Sequence, residues 1–210
     1  MSEGPLGTAA PLLSGRGLQE SFGAVRVIHA VDFDVWPGEV LGILGPNGAG
    51  KTTLFNLISG DVALDAGELT FQGERLKGEP PFRRCRRGIG RTYQIPRPYG
   101  GMTAFENLLV AAMFGGGQSE RASCARCAAI LEECGLGPKA NQLAGSLTLL
   151  DRKRLELARA VASGPRLLLL GMALFARTGL WGLWSKRFDA PWFPVRRRLV
   201  ARTGAEPDPR

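Results

Sequence analysis

From Leu18 onward the chain alternates short apolar runs with polar turns. Leu18–Ser21 and Val25–Val27 read as short strand pieces on either side of Phe22-Gly23. Ala30–Val35 alternates apolar and polar residues, the pattern of a half-buried strand, and Trp36-Pro37-Gly38-Glu39 reads as a turn. Glu39–Leu44 is an apolar run of strand character. Thr52–Ser59 carries apolar residues at helical spacing, with Gly60 as its stop. Glu68–Phe71 is the next strand, closed by Gln72-Gly73-Glu74. Gly116–Leu136 reads as helix, with Ala128, Ala129, Ile130 and Leu131 on its apolar side and Gly135 and Pro138 ending it. Ser146 is expected to cap a helix over Leu149–Ala162, and Leu167–Leu170 is a core strand.

The stretch between the Glu39–Leu44 strand and the helix after it is where chemistry concentrates. Gly45-Pro46-Asn47-Gly48-Ala49-Gly50-Lys51-Thr52-Thr53 fits G-x-x-x-x-G-K-S/T, the phosphate-binding loop, in the strand–loop–helix setting that the pattern requires. A triphosphate needs many N–H donors at close range and little bulk. Glycines at 45, 48 and 50 allow positive φ and close backbone approach, so that successive amides form an anion-binding concavity at a helix N-terminus. In that arrangement Lys51 reaches the β- and γ-phosphates as a point charge, and the Thr52 hydroxyl is the Mg²⁺ ligand.

Composition changes this picture little. The chain's 210 residues suit one large domain, or one domain with a small insert, and can bury a substantial core. Residues 1–15 read as a loose arm, and no charged segment followed by an apolar one marks an export signal. The net charge of +8 invites a nucleic-acid reading, but 8 of the 27 basic residues and only 3 of the 19 acidic ones lie beyond residue 170. No nucleic-acid module accompanies them, so no nucleic-acid partner is expected. Cys124 and Cys127 have zinc-like spacing, but the only histidine is His29, and the segment reads as helix. Reduced thiols in a reducing compartment are the expectation.

Three blocks carry a family resemblance. Val31–Gly60, "VDFDVWPGEVLGILGPNGAGKTTLFNLISG", resembles the ATP-binding subunit of an ABC transporter, and its Leu-Phe-Asn-Leu-Ile-Ser-Gly ending resembles the branched-chain amino acid uptake branch. Gly88–Gln94 with Met102–Leu108 resembles the family's Q-loop and the start of its helical subdomain, and Ser146–Pro165 resembles its signature helix. The resemblance implies an α/β P-loop NTPase core with a β-rich flank, a helical insert over about 82–145, and a nucleotide-binding domain over 16–170. It implies ATP and Mg²⁺ as cofactors, and a transmembrane permease subunit and a second ATP-binding subunit as partners. The place it implies is peripheral, on the cytoplasmic face of the inner membrane. Carried onto this chain, Phe22 and Val27 would lie against adenine, the alternative for Phe22 being a core ring. Gln94 would touch Mg²⁺ and the attacking water. Residues Arg97 to Glu106 would lie near the permease. Ser146, Leu147, Thr148, Leu149, Leu150 and Asp151 would face ATP held by the partner subunit. Arg83, Arg84, Arg86 and Arg87 form a basic run, either a solvated face or a contact with acidic lipid or a partner.

The chain departs from the family in two places. Leu149 and Leu150 replace signature glycines. After Leu167–Leu170 the family writes Asp-Glu-Pro, where this chain has Gly171, Met172 and Ala173, and no histidine follows. Without the metal-ordering and water-polarising carboxylates, hydrolysis is expected to be lost. The function implied is an ATP-binding transporter subunit with that step missing; the alternative is a nucleotide-binding regulatory or interaction protein without ATPase activity. Residues 171–210, with three of the four tryptophans and the Arg196–Arg198 run, read as a non-homologous basic tail, a chain truncated or frame-disrupted after Leu170. A membrane anchor over Leu167–Trp184 and an amphipathic surface helix are the competing readings.

Overall fold

The computed structural model describes residues 10–46, 48–93 and 95–170 with their side chains, and the backbone of 196–200. The chain divides into two compact units, one formed by residues 1–58, 63–77 and 176–210, the other by 59–62 and 78–175.

The first unit is built on β1 (Leu13–Phe22) and β2 (Val25–Val35), an antiparallel hairpin that turns at Gly23 with φ +61°. The two strand pieces expected around Phe22-Gly23 are therefore the ends of two long strands. The other edge of β1 pairs with β4 (Ala66–Phe71), and β4 with β5 (Glu74–Arg75), giving the order β2-β1-β4-β5. Gln72 and Gly73, both at positive φ, make the tight turn between the last two strands. A Cβ on Gly67 would stand 2.4 Å from the Gly17 carbonyl oxygen, so only glycine lets β4 cross β1 there. Leu13, Leu18, Ile28, Val35, Leu69 and Phe71 are the buried apolar residues of these strands. Leu13 is buried and lies inside β1, so the expected arm of residues 1–15 ends sooner than its composition suggested.

The same unit holds β3 (Glu39–Ile43) and α1 (Lys51–Ser59). β3 pairs in parallel with β8 (Arg196–Val200), in register from Glu39 opposite Arg196 to Ile43 opposite Val200. The basic tail thus contributes a strand that its arginine run did not suggest. The physical reason is the edge of β3, whose amides and carbonyls find their ladder partners in this segment.

The second unit carries α2 (Pro81–Arg86), β6 (Ile89–Thr92), α3 (Ala104–Val110), a π-helical turn (Ala111–Gly115), α4 (Glu120–Glu133), α5 (Leu149–Ala162) and β7 (Leu167–Leu170). β6 and β7 pair in parallel. Because β6 lies within residues 82–145, the continuous helical part of the expected insert starts only at Ala104. Leu108, Cys127, Leu131, Leu136, Leu155 and Ala158 form the centre of the core between α3, α4 and α5. The helix ends are closed by their own sequence. Thr103 and Glu106 exchange bonds in a capping box at α3. At the end of α4 the Gly135 amide donates to Glu132 O and the Leu136 amide to Leu131 O, a Schellman closure with Gly135 at φ +69°.

Candidate functional site

In the phosphate loop, β3 ends at Ile43 and α1 starts at Lys51, with Gly48 at φ +83° and Gly50 at φ +77° between them. Gly50 is buried, and a Cβ there would stand 2.9 Å from both Val27 O and Ile28 Cδ1. No larger residue fits that cradle without moving β2. Lys51 Nζ donates to Gly45 O at 2.7 Å and to Pro46 O at 2.6 Å, so the ammonium spans the mouth of its own loop. The Ala49 amide donates to Pro46 O at 3.3 Å, and the first helical bond runs from the Leu54 amide to Gly50 O at 2.8 Å. Thr52 is exposed and Thr53 half-buried, and α1 has no acidic residue in its first turn. Buried Leu54, Leu57 and Ile58 anchor the helix. Backbone amides, a lysine and a free-standing hydroxyl suit a nucleotide polyphosphate with Mg²⁺, and the glycine-only clearance at residue 50 matches that use.

Val27 lies against this loop through its contact position at Gly50. Phe22 closes β1 with 51% of its surface exposed, so it is not a core ring. Asn47 and Gln94 lie outside the described residues, as do Gly171 and Met172.

In the second unit, the segment that brackets residue 94 is held by α5. The Tyr93 amide donates to Glu156 Oε1 at 2.5 Å. Arg159 Nη1 donates to Arg97 O at 3.0 Å, and its guanidinium lies 4.7 Å from the centre of the Tyr99 ring. Arg91 stacks on Tyr93 at 4.7 Å while paired to Asp61 at 2.7 Å. Burial pushes the Glu156 carboxyl above the usual carboxylate range, and the Tyr93 amide works against that shift. Sequence reasoning missed Glu156 and Arg159. The available signal was their spacing of three, which puts two polar residues on one face of a helix.

The signature stretch is a helix cap. Thr148, not Ser146, is the N-cap of α5: its hydroxyl accepts from the Asp151 amide at 3.2 Å and donates to Asp151 Oδ2 at 2.7 Å. The helix begins where this reciprocal pair closes. Ser146 instead donates to Leu143 O at 2.8 Å and accepts from Gln142 Nε2 at 3.1 Å. Leu147 is buried, whereas Leu149 is 67% exposed and Leu150 is exposed too. Lys139 Nζ reaches Asp151 Oδ2 at 2.5 Å; this contact and the Thr148 hydroxyl hold the Asp151 carboxyl below the usual range against its burial.

Comparisons with known proteins agree on one relationship. The family model described as "ABC transporter" matches residues 28–171. The chain is 37% identical to the high-affinity branched-chain amino acid transport ATP-binding protein LivG of Escherichia coli K12 over 176 residues, covering 76% of this chain and 68% of that protein. It is 37% identical to the corresponding protein BraF of Pseudomonas aeruginosa, with the same coverage. It is 31% identical to the lipopolysaccharide export system ATP-binding protein LptB of Haemophilus influenzae, covering 76% and 66%. A solved ATP-binding cassette of an ABC transporter in its ADP conformation superposes with a TM-score of 0.72 at 25% identity, covering 93% of this chain and 83% of that one.

Proposed function

This chain belongs to the ABC transporter family as an ATP-binding subunit, and we propose that it serves branched-chain amino acid import, holding ATP and Mg²⁺ without hydrolysing ATP itself. The observation that carries the nucleotide assignment is the loop at Gly50 and Lys51, with its glycine-only cradle and its ammonium set across the loop mouth. Lys51 and the loop amides would hold the phosphates, Thr52 and Gln94 the metal, and Phe22 and Val27 the base. Mg²⁺ supplies charge neutralisation of the phosphate oxygens when bound. The substrate class is supported by the LivG and BraF relatives. Its partners would be a permease and a second ATP-binding subunit, at the cytoplasmic side of the inner membrane. Among the described residues no helix is long and apolar enough to cross a membrane.

The loss of hydrolysis rests on Gly171 and Met172, which stand where the family writes Asp and Glu. Phosphoryl transfer depends on positioned charge, and removing one such group typically costs on the order of 10²–10⁴-fold. Steady-state phosphate release by purified protein, with Lys51→Ala as the contamination control, tests this. Release equal to the control supports the reading, and turnover clearly above the control removes it. The same two residues favour a second reading, a nucleotide-binding regulatory or interaction protein. Co-purification with a permease separates the two, since only the subunit reading requires it. We read residues 171–210 as sequence that the family does not share, whatever strand 196–200 forms. Coding DNA that gives Asp-Glu-Pro after Leu170 in another frame supports a shifted frame, and DNA without it removes that account.

A further inference from the structure

α2 and the π-helical turn present a surface that the nucleotide site does not use. The inner side of α2 is occupied by Arg84, buried and donating from Nε to Glu79 O at 3.0 Å, and by half-buried Cys85. Cys85 packs on the π-helical turn, where a Cβ on Gly115 would stand 3.2 Å from its Sγ. The outer side carries Phe82, Arg83 and Arg86, all exposed, with Phe82 58% exposed. Phe82 and Arg86 are one turn apart on one face of α2. Arg86 Nε reaches across to Phe114 O at 3.4 Å, and the Phe114 ring is 66% exposed. Two phenylalanines on two adjoining elements therefore flank two arginines, all turned to water. Arg87 differs: it is half-buried and paired with Glu79 at 2.5 Å. Among the described residues Arg83 and Arg86 have no carboxylate partner.

One exposed phenylalanine is ordinary. Two of them beside two guanidinium groups without a carboxylate partner make a surface with apolar anchors and phosphate-seeking charge in one place. Phenylalanine rings enter the headgroup–acyl boundary, arginine stems lie along apolar surface, and guanidinium forks pair with phosphate oxygens. We propose that Phe82, Arg83, Arg86 and Phe114 rest on an anionic phospholipid surface. An acidic protein segment is the weaker occupant. A six-residue helix and one turn offer no groove to hold a chain in register, whereas an array of phosphodiesters needs no register.

The test is co-sedimentation of the full chain with vesicles of equimolar phosphatidylglycerol and phosphatidylcholine, against vesicles of phosphatidylcholine alone. Binding to the anionic vesicles that weakens with salt is expected. The double variant Arg83→Gln, Arg86→Gln should lower the partition roughly 25-fold, about five-fold per arginine. Phe82→Ser with Phe114→Ser should lower it as well, with circular dichroism confirming that the helices persist. A control pair of exposed arginines in the other unit, Arg26→Gln with Arg75→Gln, should lose much less. An equal loss in the control assigns the effect to net charge and overturns the proposal. Equal binding to both vesicle types, no binding to either, or indifference to the phenylalanine changes also overturns it.

Discussion

At the head of α1 the last loop residue is Gly50, which has no side chain to offer the first-turn amides. At the head of α5 that place is held by Thr148, whose hydroxyl accepts from the Asp151 amide. Both helices present the positive end of their dipole there. The first turn of α1 contains no acid and opens with a lysine; the first turn of α5 contains Asp151, already engaged by Thr148 and Lys139. The same backbone feature is thus left open to an anion in one place and closed by the chain's own groups in the other. A cap supplied by the chain itself takes a first-turn amide out of an anion's reach.

Breaking the open end should have the largest effect. Gly50→Val places a β-branched side chain at φ +77° and against Val27 O, so ATP binding measured by calorimetry should vanish, with a stability loss of about 2 kcal/mol or more. Unchanged affinity would mean that the loop is not the cradle. Lys51→Ala comes next. It removes a charge-assisted contact and should weaken ATP binding by about 3 kcal/mol, roughly a hundredfold. Closing the comparison from the other side, Thr148→Ala should cost about 1 kcal/mol of stability in denaturant titration and leave the affinity of this chain for ATP unchanged. The smallest effect is pH-dependent. Asp151 is held below the usual carboxylate range in the folded chain. Its contribution is therefore full above the unfolded value of about 4 and fades as pH falls through the lower folded value. Asp151→Asn should flatten that acid limb, read from denaturant midpoints across the acid range, and equal acid sensitivity in both proteins would refute the assignment.

The phosphate loop was legible because its chemistry is local: residues 45–53 carry glycines, lysine and threonine in one unbroken order. Cap assignment failed by two residues for a reason the sequence contains. Ser146 and Thr148 are both cap formers, but only Thr148 has an acid three positions on to close the pair. Glu156 and Arg159 showed in the sequence only as two polar residues on one helix face; what they hold did not show, because their partners, Tyr93 and Arg97, lie 63 and 62 residues away. β6 was missed as a strand inside the insert because four residues flanked by helical patterns show too little alternation. The strand at 196–200 hid behind its charge, since its pairing partner, β3, lies far upstream.

The bridge from Lys51 to Gly45 O and Pro46 O also sets a threshold for ligand choice. A long, flexible side chain has already surrendered its rotational freedom, so an arriving anion redirects a fixed charge rather than ordering a mobile one. What it must outcompete is a pair of amide carbonyls. A weakly held monovalent anion gains little from that exchange, whereas a polyphosphate, with several charged oxygens acting at once, gains much. On the function proposed above, the lysine would therefore select for charge density before any contact with the base is made.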